Sequence, residues 1–128
     1  MQDGAPAPDP DPAQQRRLVN TFLAASRAGD FEALLEVLDP DVVFRADAGA
    51  AGVPSATVRG ARAVADRVLS RGSPLAPLAR PVVVNGVAGL VLGERDHPRA
   101  VVAFTIARDR IIAIDLIVRP PPVLGLDG

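Results

Sequence analysis

The sequence predicts an α+β domain in which three N-terminal helices cover one face of a cone-shaped, curved antiparallel sheet. Three observations carry this. Two amphipathic helical patterns abut at Gly29-Asp30, a strand pattern starts directly behind Asp39-Pro40-Asp41, and β-branched runs with polar tips fill the chain from Pro81 to Val118.

Residues 1–12 alternate Pro with Asp, Ala and Gly, which denies the backbone regular hydrogen bonding and offers little to bury, so they read as a flexible linker. The domain itself is expected over 13–128. Leu18, Val19, Phe22, Leu23 and Ser26 fall on one helical stripe, with Arg16, Arg17, Asn20, Thr21 and Arg27 opposite. Gly29 suits the left-handed residue that closes a helix. Asp30 then serves as N-cap for a second helix, whose Phe31, Leu34, Leu35 and Leu38 recur at helical spacing. Asp39-Pro40-Asp41 stops that helix, and Val42 to Asp47 alternates as a strand, with Val42, Phe44 and Ala46 on one face and Val43, Arg45 and Asp47 on the other. Ala48 to Thr57 reads as a loop. A third helix is expected over about Gly60 to Arg71, burying Ala61, Val64, Ala65, Val68 and Leu69, with Gly72-Ser73-Pro74 as its stop.

Four strands follow, at 82–85, 87–92, 99–107 and 111–118. Asn85-Gly86 favours a tight turn, and Gly89 marks an alternative place for a bulge. Gly93 to Pro98 and Arg108-Asp109-Arg110 read as polar hairpin tips, and the Pro120 to Pro122 run ends the last strand.

Composition narrows the chemistry. At 128 residues with 48% apolar content, the chain has the size of one domain with one core. Fourteen basic against fifteen acidic residues leave a net charge of −1, so no global field recruits nucleic acid or an anionic membrane. All fourteen basic residues are arginines, and Cys, Trp and Tyr are absent, which removes disulfides, thiolate chemistry, Schiff-base lysines and phenolic acids. Four Phe make no stacking platform for single strands. The Arg and Ala bias points to a GC-rich bacterial gene. Without a basic, apolar leader or a run of roughly 20 apolar residues, the expected location is the cytoplasm.

The order of an αα corner, a strand after Asp-Pro-Asp-Val, a Gly-initiated third helix and a closing meander resembles the nuclear-transport-factor-2-like superfamily, in its SnoaL-like branch. LVNTFLAASRAGDFEALLEVLDPDVVFRAD, ARPVVVNGVAGLVL and AFTIARDRIIAIDLIVRP resemble the C-terminal module of a group of extracytoplasmic-function sigma factors, over about residues 10–127. The resemblance implies a module that contacts sigma-factor regions or RNA polymerase and tunes transcription initiation. It implies regulatory contacts in two places. Where such factors carry an Asp-Gly-Gly-Gly-Lys-type segment, this chain keeps Asp47, Gly49 and Gly52 and lacks the Lys. Where they carry an Asn-Pro-Asp-Lys-Leu-like motif, it has Arg119, Pro120 and, further on, Leu124. With no promoter-reading segment in the sequence, the chain reads as an excised module or a free-standing relative.

Asp115 is the sharpest chemical candidate, since it interrupts the apolar run from Ile111 to Val118. Buried without a partner, it would have a raised pKa and act as an acid or base, as the resemblance to polyketide cyclases implies; paired with Arg or placed on a wetter face, it is structural. Arg45 and Asp47 share a strand face and join it as a candidate Asp-Arg-Asp set of the kind that resembling epoxide hydrolases use. His97, on a solvated tip, has too few neighbouring ligands for a metal, and no dinucleotide, Walker or G-x-S-x-G motif is present, so neither metal nor cofactor is expected. Arg59, Arg62, Arg67 and Arg71 form either a rim for an acidic partner or a solvated helix face.

The reading that follows is a non-catalytic, protein-binding regulatory module, forming a homodimer in isolation through the Val and Ile residues of its last two strands. A small cavity enzyme of the cyclase, isomerase or hydrolase kind, or a sensor of a small apolar ligand, both centred on Asp115, is the alternative. Poverty in titratable groups ranks the first ahead, because one His with no Tyr, Cys or Lys leaves few ways to complete a proton relay.

Overall fold

The computed structural model describes residues 11–47, 56–72, 77–84, 87–94, 97–118 and 126–127. Three helices, α1 (Pro12–Ala28), α2 (Phe31–Val37) and α3 (Ala61–Arg67), pack on one face of a sheet built from β1 (Leu38–Asp47), β2 (Ala56–Arg59), β3 (Ala79–Val84), β4 (Val87–Glu94), β5 (His97–Ala107), β6 (Arg110–Val118) and a two-residue edge piece, β7 (Leu126–Asp127). The strand order is β2-β1-β6-β5-β4-β3-β7, and the sheet is curved and unclosed.

Local chemistry explains the helix boundaries. The Asp11 carboxylate accepts from the Ala13 and Gln14 N–H groups, and Pro12 fills the first helical position, where its missing N–H costs nothing. That Asp-Pro start lies at the end of the stretch read as linker. Gly29 closes α1 at φ 69°, and Asp30 caps α2 by accepting from Ala33 N–H at 3.1 Å. Both features follow the sequence reading. The third helix is shorter than expected and continues as a π-helical turn over Val68–Gly72. Its N-terminus is held by the strand below, for Gly60 N–H donates to the Val42 carbonyl at 2.8 Å.

The first strand starts at Leu38, not Val42. Leu38 pairs with Ile111 and Val43 with Ala113, so the four residues 39–42 stand where β6 has one. Pro40 is tolerated in this irregular stretch because no ladder bond needs its N–H, and the Asp39 carboxylate accepts from Asp41 N–H at 2.9 Å. β2, inside and beyond the stretch read as loop, is too short for its four residues to reveal a period; pairing with β1 defines it. The Asn85-Gly86 turn lies outside the described residues. The ladder between β3 and β4 runs without a shift at Gly89, and the bulge sits between Leu92 and Gly93, where Gly93 takes φ 100°. At the β5–β6 tip, Arg108 and Asp109 both take left-handed conformations, which suits the twist of a two-residue hairpin.

The core lies between the helices and the sheet. Leu18, Val19, Phe22 and Leu23 of α1, Leu34 of α2 and Val64 and Ala65 of α3 meet Phe44, Leu90, Phe104, Ile106, Ile111 and Ile114. Phe22 meets Phe104 edge to face at 5.0 Å between centroids. A second bulge opposes Thr105-Ile106 and leaves Ile112 unpaired, which allows Ile111 and Ile114, three apart, to enter the same core. The other face carries a smaller cluster of Val82, Val91 and Val101. Gln15 ties the two layers together: it is buried, and its Oε1 accepts from the Ala88 N–H at 3.2 Å.

Two substitutions test this account by denaturant unfolding. Asp30→Ala removes the α2 cap and lowers stability by about 1 kcal/mol. Gln15→Leu leaves the Ala88 N–H buried without its acceptor and costs about 1–3 kcal/mol, although the replacement is more apolar.

Candidate functional site

Strand alternation sends Phe44 and Ile114 into the core and therefore turns Arg45 and Asp115 to the opposite face. The two are direct partners in the parallel β1–β6 ladder. Arg45 Nε donates to Asp115 Oδ1 at 2.7 Å and Nη2 to Oδ2 at 3.0 Å, a side-on, two-point ion pair. The Arg45 side chain is 55% exposed and that of Asp115 34%, so water screens the pair. Thr57 of β2 and Ala103 of β5 flank it in the same row.

Of the two arrangements open to Asp115, the structure shows the Arg-paired one. Both carboxylate oxygens bond to one guanidinium, and the helices that bury the core lie on the far side of the sheet. Asp47 is paired with Ile117 two positions along, and alternation puts it on the Arg45 face; its side chain lies outside the described residues. So do Gly49, Gly52, Arg119, Pro120 and Leu124. His97 opens β5 opposite Glu94. Among the described residues, no group of three His, Cys, Asp or Glu converges, and no helix is long and apolar enough to cross a membrane.

The arginines around α3 divide into two kinds. Arg62 lies over the Phe31 ring at 5.4 Å and Arg67 over Phe44 at 5.9 Å, so their planar cations cover aromatic edges of the core. Arg59 and Arg71 are exposed. Sequence reasoning missed the stacking because Phe31 and Arg62 sit on different helices. Other side chains fasten the layers: Gln14 Nε2 donates to Asp109 Oδ1 at 2.7 Å, Arg17 donates to Gln14 Oε1, and Arg27 Nη2 donates to the Ala79 carbonyl at 3.2 Å.

Three helices over a curved, unclosed sheet of this order make up the nuclear-transport-factor-2-like fold, in the form shared by SnoaL-like proteins. No protein-family profile matches the sequence, and no curated protein does. Solved structures do. The extracytoplasmic-function sigma factor SigJ of Mycobacterium tuberculosis is 25% identical with a TM-score of 0.69, over 86% of this chain and 43% of that one. This chain therefore matches less than half the length of SigJ. An NTF2-like protein from Mesorhizobium loti is 17% identical with a TM-score of 0.60, over 88% and 97% of the two chains. A candidate ketosteroid isomerase from Kribbella flavida, 17% identical, has a TM-score of 0.55 over 88% and 85%. The last two likenesses establish fold alone.

The exposure of the ion pair sets its worth in the isolated chain. Arg45→Gln and Asp115→Asn are each expected to change unfolding stability by less than about 1 kcal/mol, and added salt should shrink the difference further. Parallel denaturation curves at low and high salt measure both.

Proposed function

We propose that this chain is a non-catalytic regulatory module that belongs to, or derives from, an RNA polymerase sigma factor and acts by binding protein. The likeness to SigJ carries this reading, since it extends over 86% of the chain at 25% identity. The chemistry of the site supports it. Arg45 and Asp115 satisfy one another on an open face, an arrangement suited to a contact surface and poorly suited to proton transfer within a closed cavity. The partners are sigma-factor regions or RNA polymerase in the cytoplasm. Asp47, Gly49 and Gly52 behind the first strand, with Arg119, Pro120 and Leu124 behind the last long one, are the proposed regulatory contacts. Where those partners are missing, the chain pairs with itself as a homodimer.

A second reading, a cavity enzyme or small-ligand sensor, draws on the fold shared with the candidate ketosteroid isomerase. Asp115 would be its acid or base. The placement of Asp115 on the face away from the helices counts against that role, and fold alone does not transfer an activity.

The test is retention and transcription. Tagged full-length chain is expected to retain purified sigma-factor regions or RNA polymerase, and deleting its coding segment is expected to change transcription from the promoters that sigma factor serves. Retention of neither partner together with unchanged transcript levels would falsify the reading.

A further inference from the structure

Charge is sorted along the chain although its total is close to zero. From Pro12 to Ala28, α1 carries Arg16, Arg17 and Arg27 and no carboxylate. The next stretch, Asp30 to Asp41, carries five carboxylates and no arginine, with Glu32 and Glu36 exposed on α2. While one side of α1 supplies Leu18, Val19, Phe22 and Leu23 to the core, Arg16, Asn20, Ala24 and Arg27 recur along the other, with Arg17 and Thr21 beside them, and all six are exposed. Two of these arginines are steadied by the fold: Arg17 donates to Gln14 Oε1, and Arg27 Nη2 donates to the Ala79 carbonyl at 3.2 Å. Held in this way, they lose less side-chain freedom on meeting a partner.

We propose that this face of α1 docks a short acidic segment of the module's protein partner. This rests on the protein-binding reading, and it names the surface and the chemistry that the surface takes. Arg16 and Arg27 stand about 16 Å apart along the helix axis, the length of about five residues of extended chain. Carboxylates at the two ends of such a segment reach both guanidinium groups, which bind them with two-point geometry. Between the arginines, Ala24 adds little bulk, and Asn20 and Thr21 present donors and acceptors alike. A peptide backbone answers both, whereas phosphodiesters only accept. The acidic stretch behind Gly29 argues the same way, since it repels a duplex charged along its whole length, whereas a short segment stays on α1. The third helix offers no such face, because Arg62 and Arg67 lie over Phe rings.

The experiment measures binding of the full chain to purified sigma-factor regions and to RNA polymerase. Arg16→Glu combined with Arg27→Glu is expected to weaken binding at least about 100-fold, and the two Lys replacements, which keep the charge, by less than about tenfold. Arg71→Glu makes the same kind of change at an exposed site off α1 and should leave affinity within about twofold. Circular dichroism and melting check folding. Should the double variant fail to fold, Asn20→Glu sets a carboxylate in the middle of the face instead, with about tenfold weakening expected. A photo-crosslinking residue in place of Ala24 is expected to capture a partner segment rich in Asp and Glu. Folded variants that bind like the wild type overturn this inference and leave the protein-binding reading standing, as does capture of a segment without excess acid. A wild-type chain that holds neither partner overturns both. Affinity for a fluorescent DNA duplex that the α1 variants lose, with protein binding unchanged, gives the face to phosphates and overturns the inference.

Discussion

The parallel ladder between β1 and β6 is the constraint on which the rest of the structure depends. It joins residues about seventy positions apart, pairing Phe44 with Ile114 and Arg45 with Asp115. Without it, β1 and β2 would form a separate two-stranded ribbon, too small to stand alone, and the meander would lack one wall. Because α2 runs directly into β1 and α3 follows β2 directly, inserting β1 beside β6 also brings both helices over the sheet. The helix layer, the core and the open face are consequences of a single strand placement.

That placement sorts side chains by parity. Phe44 and Ile114 turn inward to meet Phe104 and Phe22, while Arg45 and Asp115 turn outward and satisfy each other. An isolated carboxylate on the inner face would have been costly to bury and chemically provocative. On the outer face, in register with a guanidinium, the same residue becomes part of a neutral surface element. The bulges adjust this sorting locally. The extra residue Ile112 lets Ile111 and Ile114 both reach the core, and the irregular Asp39 to Val42 stretch absorbs Pro40.

Function in this fold depends on what each surface meets. The same architecture is shared by a sigma factor and by a candidate isomerase, so the choice rests on where the polar groups lie. Here the best-formed polar contact lies on the open side of the sheet. Two of the α3 arginines are engaged with Phe rings at the edge of the core, which makes them packing elements as much as charges.

Much of the architecture was legible in the chain itself. The stripe from Leu18 to Ser26, the Gly29-Asp30 corner and the alternation from Val42 to Asp47 reflect local rules of capping and periodicity, which operate within a few residues and need no partner. The resemblance carried by those segments pointed to the fold and to a sigma-factor relative. Tertiary structure decided the rest, because it depended on pairing across long separations. β2 alternates over only four residues, too few to mark it as a strand without its partner, the start of β1 at Leu38 relies on Ile111, and the bulges near Gly93 and Ile112 appear only in register with neighbouring strands. Asp115 shows the division most clearly. Its sequence revealed a charged residue in an apolar strand, but whether it would be a buried acid or half of an ion pair was determined by which strand lay beside it and which face it took.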